Sequence, residues 1–309
     1  MRRQPPKAHL LSTHWLFTRW LFTRWLLVLT SVVVLAAALP DAVPAGATPS
    51  RSQAGTAVPT RILSLSASAT QMLYAIGAGH QVVGVDKYST YPPGTPLTKF
   101  TGYETSAEDY LYLKPDLVIF AFPTNLTKQL KLLGIPSLVL PPATNFAGVY
   151  SQLDELGSVT GHMRGALATD ASLKAQVAAS VRSAGEAGRG DTYYIELDPV
   201  YYYTATSKTF IGAEFSLFGM RNISDAASHG SAYPAISAEY ILKENPDYVF
   251  LADTVCCHQT AATFAARPGF GILRAVKLHH VIGVNDSVAS QWGPHTIESF
   301  VSLIAATLR

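Results

Sequence analysis

The sequence predicts an α/β protein of two lobes, each with a parallel-rich central sheet flanked by helices, joined by a single long helix. Three observations predict this fold. Short apolar runs alternate with helical spacing over residues 60–144 and again over residues 191–309, which is typical of strand, helix, strand units. Between the two series, residues 145–190 contain no strand-like run and favour a helix. A similar phrase of 16 residues occurs in each series.

The first series begins with RILSL and QVVGVD, which are short, branched and apolar. Between them, SATQMLYAIGAG has helical spacing and ends at glycine, and NLTKQLKLLG later repeats that pattern. The predicted strands of this lobe are residues 61–65, 81–86, 117–121 and 137–140. Right-handed crossovers would place them in one parallel sheet.

The second series begins with TYYIEL at residues 192–197 and continues through KTFIGAEFSLFG, which is predicted as a helix. Two more strands are predicted at residues 248–252 and 280–284, and a last helix begins at Pro294. This second lobe therefore has the same kind of sheet as the first.

The first 47 residues have the composition of an export signal peptide. Five basic residues precede any acidic one, and an apolar run from residue 26 to residue 39 leads to small residues that suit cleavage. The run is shorter than the roughly 20 residues of a membrane-spanning helix, which favours a cleaved signal. Residues 48–59 are predicted to be a flexible leader. We therefore expect an exported protein. Its two cysteines, Cys256 and Cys257, lie far from the position of a lipid anchor, so the sequence does not decide whether the protein is attached to the membrane.

The overall composition is that of a globular protein. The chain has 309 residues, of which 48% are apolar and 14% charged, enough to bury a sizeable core. Removing residues 1–47 takes away five of the 23 Lys and Arg and one of the 21 Asp and Glu, so the remaining chain is near neutral. The sequence has no basic patch of the kind that would indicate nucleic-acid binding.

The repeated phrase is SAEDYLYLKPDLVIFA at residues 106–121 and SAEYILKENPDYVFLA at residues 237–252. In each copy a Ser is placed to cap a helix, a Glu follows in its first turn, and Pro-Asp ends the helix before a strand. Such helix starts also serve stability alone. Because the copies occupy equivalent points of two successive lobes, however, they imply that Glu108 and Glu239 are related by a pseudo-twofold axis.

The stretch RILSLSASATQMLYAIGAGHQVVGVDKYSTYPP, followed by EDYLYLKPDLVIF, resembles the cobalamin and iron-siderophore binding proteins of ABC importers. The resemblance covers the mature chain. It implies two lobes joined by a rigid helix, a ligand cleft between them, and one glutamate per lobe that docks against the membrane permease. Glu108 and Glu239 fall on those two positions, where charge complementarity would fix orientation. This chain departs from the family's first loop at Ala67 and Gln71, where relatives usually have a proline and an acid.

Aromatic residues are the candidate ligand contacts, because ring faces bury much area at low entropic cost. Tyr88 and Tyr91 follow the second strand, at the sheet edge where α/β proteins bind ligands. Tyr201 and Tyr203 follow the first strand of the second lobe and alternate to one side, with Tyr202 on the other. The family resemblance adds four further positions, Tyr103, Tyr233, Trp292 and His295. His295 stands where relatives often have an arginine.

Cys256 and Cys257 are adjacent and precede His258. Outside the cytoplasm such a pair can oxidise to a strained vicinal disulfide or pair with another molecule. The spacing is not that of a common zinc motif, so we expect a tight structural turn and no metal site.

The leading hypothesis is a solute-binding protein that delivers cobalamin or a ferric siderophore to an ABC permease dimer. Direct capture of zinc or manganese needs converging ligands, and the nine histidines are scattered; haem remains open, since Tyr and His both ligate its iron. A secreted hydrolase would carry Gly-x-Ser-x-Gly, which the sequence lacks, and a cell-surface module would bind protein or glycan. We therefore predict a monomeric binding protein that is not an enzyme and has no resident cofactor.

Overall fold

The computed structural model describes residues 57–104 and 106–309, and the predicted signal peptide lies outside them, as does most of the predicted leader. The first sheet consists of four parallel strands in the order β2-β1-β3-β4. These strands are β1 (Ile62–Leu65), β2 (Val82–Val85), β3 (Leu117–Phe120) and β4 (Ser137–Val139). They fall on the four predicted runs, because buried parallel strands are continuous branched apolar segments.

The second sheet repeats this topology, with four parallel strands in the order β6-β5-β7-β8. The strands are β5 (Thr192–Glu196), β6 (Arg221–Asn222), β7 (Tyr248–Leu251) and β8 (Val281–Gly283). The two-residue β6 is missing from the sequence prediction. The two-lobed α/β fold itself is confirmed.

Ten α-helices occur in the described residues: α1 (Ala67–Ala75), α2 (Asn125–Leu132), α3 (Phe146–Thr160), α4 (Met163–Ala184), α5 (Phe210–Ser216), α6 (Ala238–Glu244), α7 (Ala261–Ala265), α8 (Arg274–Lys277), α9 (Asp286–Ser290) and α10 (Pro294–Thr307). Short 3-10 helices span Ala78–Gln81, Ala107–Leu113, Ile223–Asp225 and Phe270–Ile272. Among the helices of the described residues, none has the length and apolarity needed to cross a bilayer.

The predicted helical region at 145–190 contains two helices rather than one. The first of them, α3, ends at Gly161, whose φ of 76° is the left-handed conformation that favours glycine at a helix end. The 22-residue α4 follows and packs against α3, α1 and α10. Thus α4 is the helix that leads from the first sheet to the second, and α3 is an additional helix beside it.

One continuous apolar core joins the two lobes. It includes Ile62 and Ile119 from the first sheet, Ile195 and Phe250 from the second, and buried residues of α1, α3, α4, α5 and α10. The far face of each sheet has a smaller core of its own. Since the two lobes share a packed interior, we expect the cleft between them to be held rigidly.

The repeated phrase forms equivalent structures in both lobes. Ser106 and Ser237 cap the 3-10 helix Ala107–Leu113 and α6, and both helices end at a residue with φ of 46°. The closing aspartates have structural roles: Asp116 accepts hydrogen bonds from Thr60 N and Arg61 N, and Asp247 accepts one from Thr192 N. Each Asp therefore ties the start of one strand to the start of its neighbour.

Candidate functional site

A cavity of about 330 Å³ lies at the carboxyl ends of the first three strands. The residues after β1, β2 and β3 form one wall, and Ser290, Gln291 and Trp292 of the second lobe form the other. A second, smaller cavity of about 40 Å³ shares these three residues and extends between Pro142 and Tyr233. The two cavities together form the interlobe cleft, with Trp292 between them.

Four of the eight predicted ligand contacts line this cleft. Tyr88 and Tyr103 line the larger cavity, Tyr233 the smaller, and Trp292 both. The rings are accessible, since Tyr88 is 54% exposed and Tyr233 51% exposed. Phe122, half exposed after β3, adds a ring that the sequence analysis missed, although its position at a strand end was a usable signal.

Tyr91 and His295 line a different cavity. Their rings stack in parallel with centroids 3.7 Å apart. They line a cavity of about 430 Å³ together with residues of α1, α4 and α10, including Tyr74, Gln176 and Glu298. The structure therefore separates these two residues from the four that line the cleft.

Tyr201 and Tyr203 are exposed beside the end of β5, with their rings edge to face at 6.3 Å. Tyr202 turns the other way, at a φ of 52°, and packs over Arg267 and Phe270. Tyr202 packs inward while both neighbours are exposed, but its positive φ shows that this run is not the extended strand from which the alternation was predicted. Neither Tyr201 nor Tyr203 belongs to the walls of the cavities described above.

The cleft is aromatic and almost free of charge. Among the described residues that line its two cavities, none is Lys, Arg or His, and the one acid is Asp86. The Asp86 carboxylate accepts hydrogen bonds from Tyr88 N and the Ser89 hydroxyl, while burial raises its pKa. Lys87 lies at the rim, with Nζ 4.9 Å from the centre of the Tyr88 ring. The other polar groups are hydroxyls and amides.

Glu108 and Glu239 are exposed near the starts of the two equivalent helices. Ser106 Oγ accepts from Glu108 N, and Ser237 Oγ accepts from Tyr240 N. Hydrogen bonds at the helix start lower the pKa of Glu239. Both carboxylates are therefore presented to solvent from short, capped helices.

Cys256 and Cys257 are free thiols in this structure. The backbone N–H groups of Val255 and Cys256 donate to the Asp286 carboxylate at 2.9 and 2.8 Å. Burial, followed by hydrogen bonds to Cys257 and Asp286, raises the pKa of the Cys256 thiol. These hydrogen bonds to Asp286 hold the loop as a turn. The vicinal disulfide stays a prediction. In the described part of the chain, no three or more His, Cys, Asp and Glu are grouped to hold a metal ion.

A buried charge cluster at the end of the second sheet was not predicted. Arg267 donates two hydrogen bonds of 2.6 Å to the Glu196 carboxylate, and Asp253 lies beside this pair. Glu196 and Asp253 are both fully buried. The only sequence signal was their position, since Glu196 ends β5 and Asp253 follows β7 closely.

The profile of the periplasmic binding protein family matches residues 62–288. The chain belongs to this family. The resemblance inferred from the sequence is thereby confirmed, and the family consists of extracytoplasmic solute-binding proteins, not enzymes.

Relatives and solved structures agree with this membership. An uncharacterised ABC transporter substrate-binding lipoprotein of Bacillus subtilis is 29% identical over 254 residues, 79% of each chain. A cobalamin-binding protein of Halobacterium salinarum is 29% identical over 258 residues, covering 80% of this chain and 69% of the relative. The periplasmic haem-binding protein RhuT of Roseiflexus has the same fold, with a TM-score of 0.70, 22% identity and coverage of 80% and 97%.

Proposed function

We propose that this protein is the extracytoplasmic substrate-binding component of an ABC importer and that it captures a metal chelate without net negative charge, a corrinoid first of all. The observation that carries the proposal is the aromatic, nearly uncharged cleft between the two lobes. Curated relatives named as cobalamin-binding support the corrinoid.

The charge of the cleft discriminates among the chelates. Haem carries two propionates and a triscatecholate siderophore carries several negative charges, and either would need cationic partners when removed from water. Among the described residues, no Lys, Arg or His lines either cavity, Lys87 lies over the Tyr88 ring at the rim, and Asp86 is an acid on the wall. A corrinoid instead presents a broad ring edged by amides, which suits exposed aromatic faces together with hydroxyls and amides. A neutral ferric hydroxamate also lacks net negative charge, but it does not present a broad ring to the aromatic faces.

The rest of the proposal concerns delivery. The protein acts as a monomer outside the cytoplasmic membrane, docks through Glu108 and Glu239 on a permease dimer, and releases its ligand chemically unchanged. The equivalent placement of the two glutamates in the two lobes supports docking at two points.

The deciding experiment is a calorimetric titration of the full chain. The ligands are cyanocobalamin, a neutral ferric hydroxamate, a ferric triscatecholate, haem, and Zn²⁺ or Mn²⁺. We expect saturable binding of cyanocobalamin and at least about tenfold weaker binding of haem and the catecholate. Tight binding of haem or of a free metal ion would replace the corrinoid proposal. If the folded protein binds none of these ligands, a cell-surface interaction module is favoured. Hydrolysis of a panel of esters by the pure protein would instead favour a hydrolase.

Substituting the cleft aromatics is expected to weaken binding. Tyr233→Ala and Trp292→Ala should each raise the Kd for the chelate about tenfold or more, because aromatic anchors provide much of the binding free energy at such sites. Isothermal titration of both variants measures this. Tyr112→Ala is the matched control, an exposed tyrosine outside the cleft. Unchanged affinity in both cleft variants would show that the ligand binds elsewhere.

A further inference from the structure

The segment Gln291–Gly293 belongs to the second lobe in sequence, yet its hydrogen bonds reach the first. Trp292 N donates to Ser68 Oγ at 3.0 Å, and Gln71 Nε2 donates to Gln291 Oε1 at 2.7 Å. Ser68 and Gln71 lie on α1 and are 2% and 4% exposed. The wall of the cleft that the second lobe supplies is therefore fastened to the lobe opposite it.

Gln152 of α3 fixes the indole ring itself. Its Oε1 accepts from Trp292 Nε1 at 2.8 Å, and its Nε2 donates to Pro141 O at 2.6 Å. The glutamine is 8% exposed, so both ends of its amide are engaged in the interior. Because the amide is held at one end by the backbone, it sets the plane and depth of the Trp292 ring.

Gln71 is placed as tightly. Its Oε1 also accepts from Thr296 N in the first turn of α10. A side chain at Gly293 would overlap Gln71, so this glycine is required for space and not for its backbone angle. The segment therefore packs directly against the Gln71 side chain at Gly293.

We propose that Gln152 and Gln71 are positioning residues for ligand capture: they hold the Trp292 indole and the Gln291 amide across the cleft before the ligand arrives. This inference rests on the proposed function for its ligand and goes beyond it in assigning the cause of affinity. A ring that is already oriented loses little freedom on binding, so its contact contributes more to affinity than that of a mobile ring.

The test uses Trp292 as a reporter. The chain has four tryptophans, and the other three are Trp15, Trp20 and Trp25. Their replacement by Phe in the full chain leaves Trp292 as the single tryptophan, which is excited at a wavelength where tyrosine does not absorb. In this background Gln152→Met and Gln71→Met are compared with Gln176→Met, a glutamine of α4 whose amide donates to Ser172 on the same helix. Three quantities are measured: the Kd for cyanocobalamin, the anisotropy and acrylamide quenching of Trp292 without ligand, and the urea midpoint.

We expect Gln152→Met to lower the anisotropy of Trp292, raise its quenching at least about twofold and weaken binding about tenfold, with a smaller effect for Gln71→Met and none for Gln176→Met. A merely structural glutamine would lower the urea midpoint and leave the emission and the affinity of the folded protein unchanged, which would overturn the proposal. Should Gln152→Met not fold, the same measurements on Gln71→Met decide. If no chelate binds even the parent chain, the proposed function fails; the anisotropy and quenching still show whether Gln152 orients Trp292.

Discussion

Replacing Glu108 and Glu239 together by alanine is expected to reduce chelate uptake at least about tenfold while the Kd for the chelate stays within about twofold. Both carboxylates are exposed on short capped helices, one in each lobe, and neither lines the cleft. Removing them takes away charge complementarity toward a permease without disturbing ligand contacts. Uptake of radiolabelled cyanocobalamin by cells that carry the cognate permease measures the first quantity, and calorimetry on the pure variant the second.

The matched control changes the same charge elsewhere. Asp154 and Glu155 are two exposed acids of α3, so Asp154→Ala with Glu155→Ala alters the net charge equally. That control should import normally. Normal uptake in the Glu108 and Glu239 variant would refute docking at these residues, and a loss of chelate affinity would place them in the binding site instead.

Sequence patterns predicted the elements of this fold well, because the signals are local. The predicted strand at 117–121 is Leu117–Phe120 and that at 248–252 is Tyr248–Leu251. A run of branched apolar residues bounded by glycine or proline forms a strand here because both faces of the sheet are buried. Less was predictable where the cause is distant. The two-residue β6 is defined by its hydrogen bonds to β5. The division between α3 and α4, in contrast, was a missed local signal, because Gly161 ends α3 as a glycine cap.

The site was predictable to a smaller extent. Strand ends and the family resemblance led to Tyr88, Tyr103, Tyr233 and Trp292, which do line the cleft. Tyr91 follows the same strand as Tyr88 but stacks on His295 at another cavity, since the direction of a loop side chain depends on packing that no periodicity records.

Gln71 was noted only as a departure from the family's first loop, and Gln152 was not singled out at all. A glutamine on a helix has the pattern of a solvent-facing residue, and the partners of these two are 220 and 140 residues away in sequence. Only the assembled fold reveals that they are buried and engaged.

Replacing Arg267 by methionine is expected to reduce the free energy of unfolding by about 3–5 kcal/mol at neutral pH. Its guanidinium is 12% exposed and pairs with Glu196, whose side chain is fully buried. The variant would leave a buried carboxylate without its cation, and that desolvated charge is the reason for the large cost. Urea unfolding measures it. Arg274→Met is the control, since that arginine is 60% exposed in its pair with Asp247 and should cost less than about 1 kcal/mol.

The neighbouring Asp253 determines how this stability depends on pH. Neither of its buried carboxylate oxygens has a hydrogen-bond donor among the described residues, and Glu196 lies within hydrogen-bonding reach. Burial and then the Glu196 charge raise the pKa of Asp253 to about 8, so this carboxyl stays largely protonated at neutral pH. Because the folded pKa exceeds the unfolded one, this contribution is complete below about pH 4 and is lost as the pH rises toward about 8.

Asp253→Asn should therefore abolish that part of the pH dependence. Asparagine does not titrate, so the variant should lose less stability than the parent between pH 5 and pH 8.5, with unfolding free energies measured in urea at both values. An equal dependence of the unfolding free energy on pH for parent and variant would show that Asp253 is ionised in the folded protein.

The Arg267→Met prediction has its own contradicting outcome. If that variant loses no more unfolding free energy than Arg274→Met, the buried pair is not what stabilises this end of the second sheet.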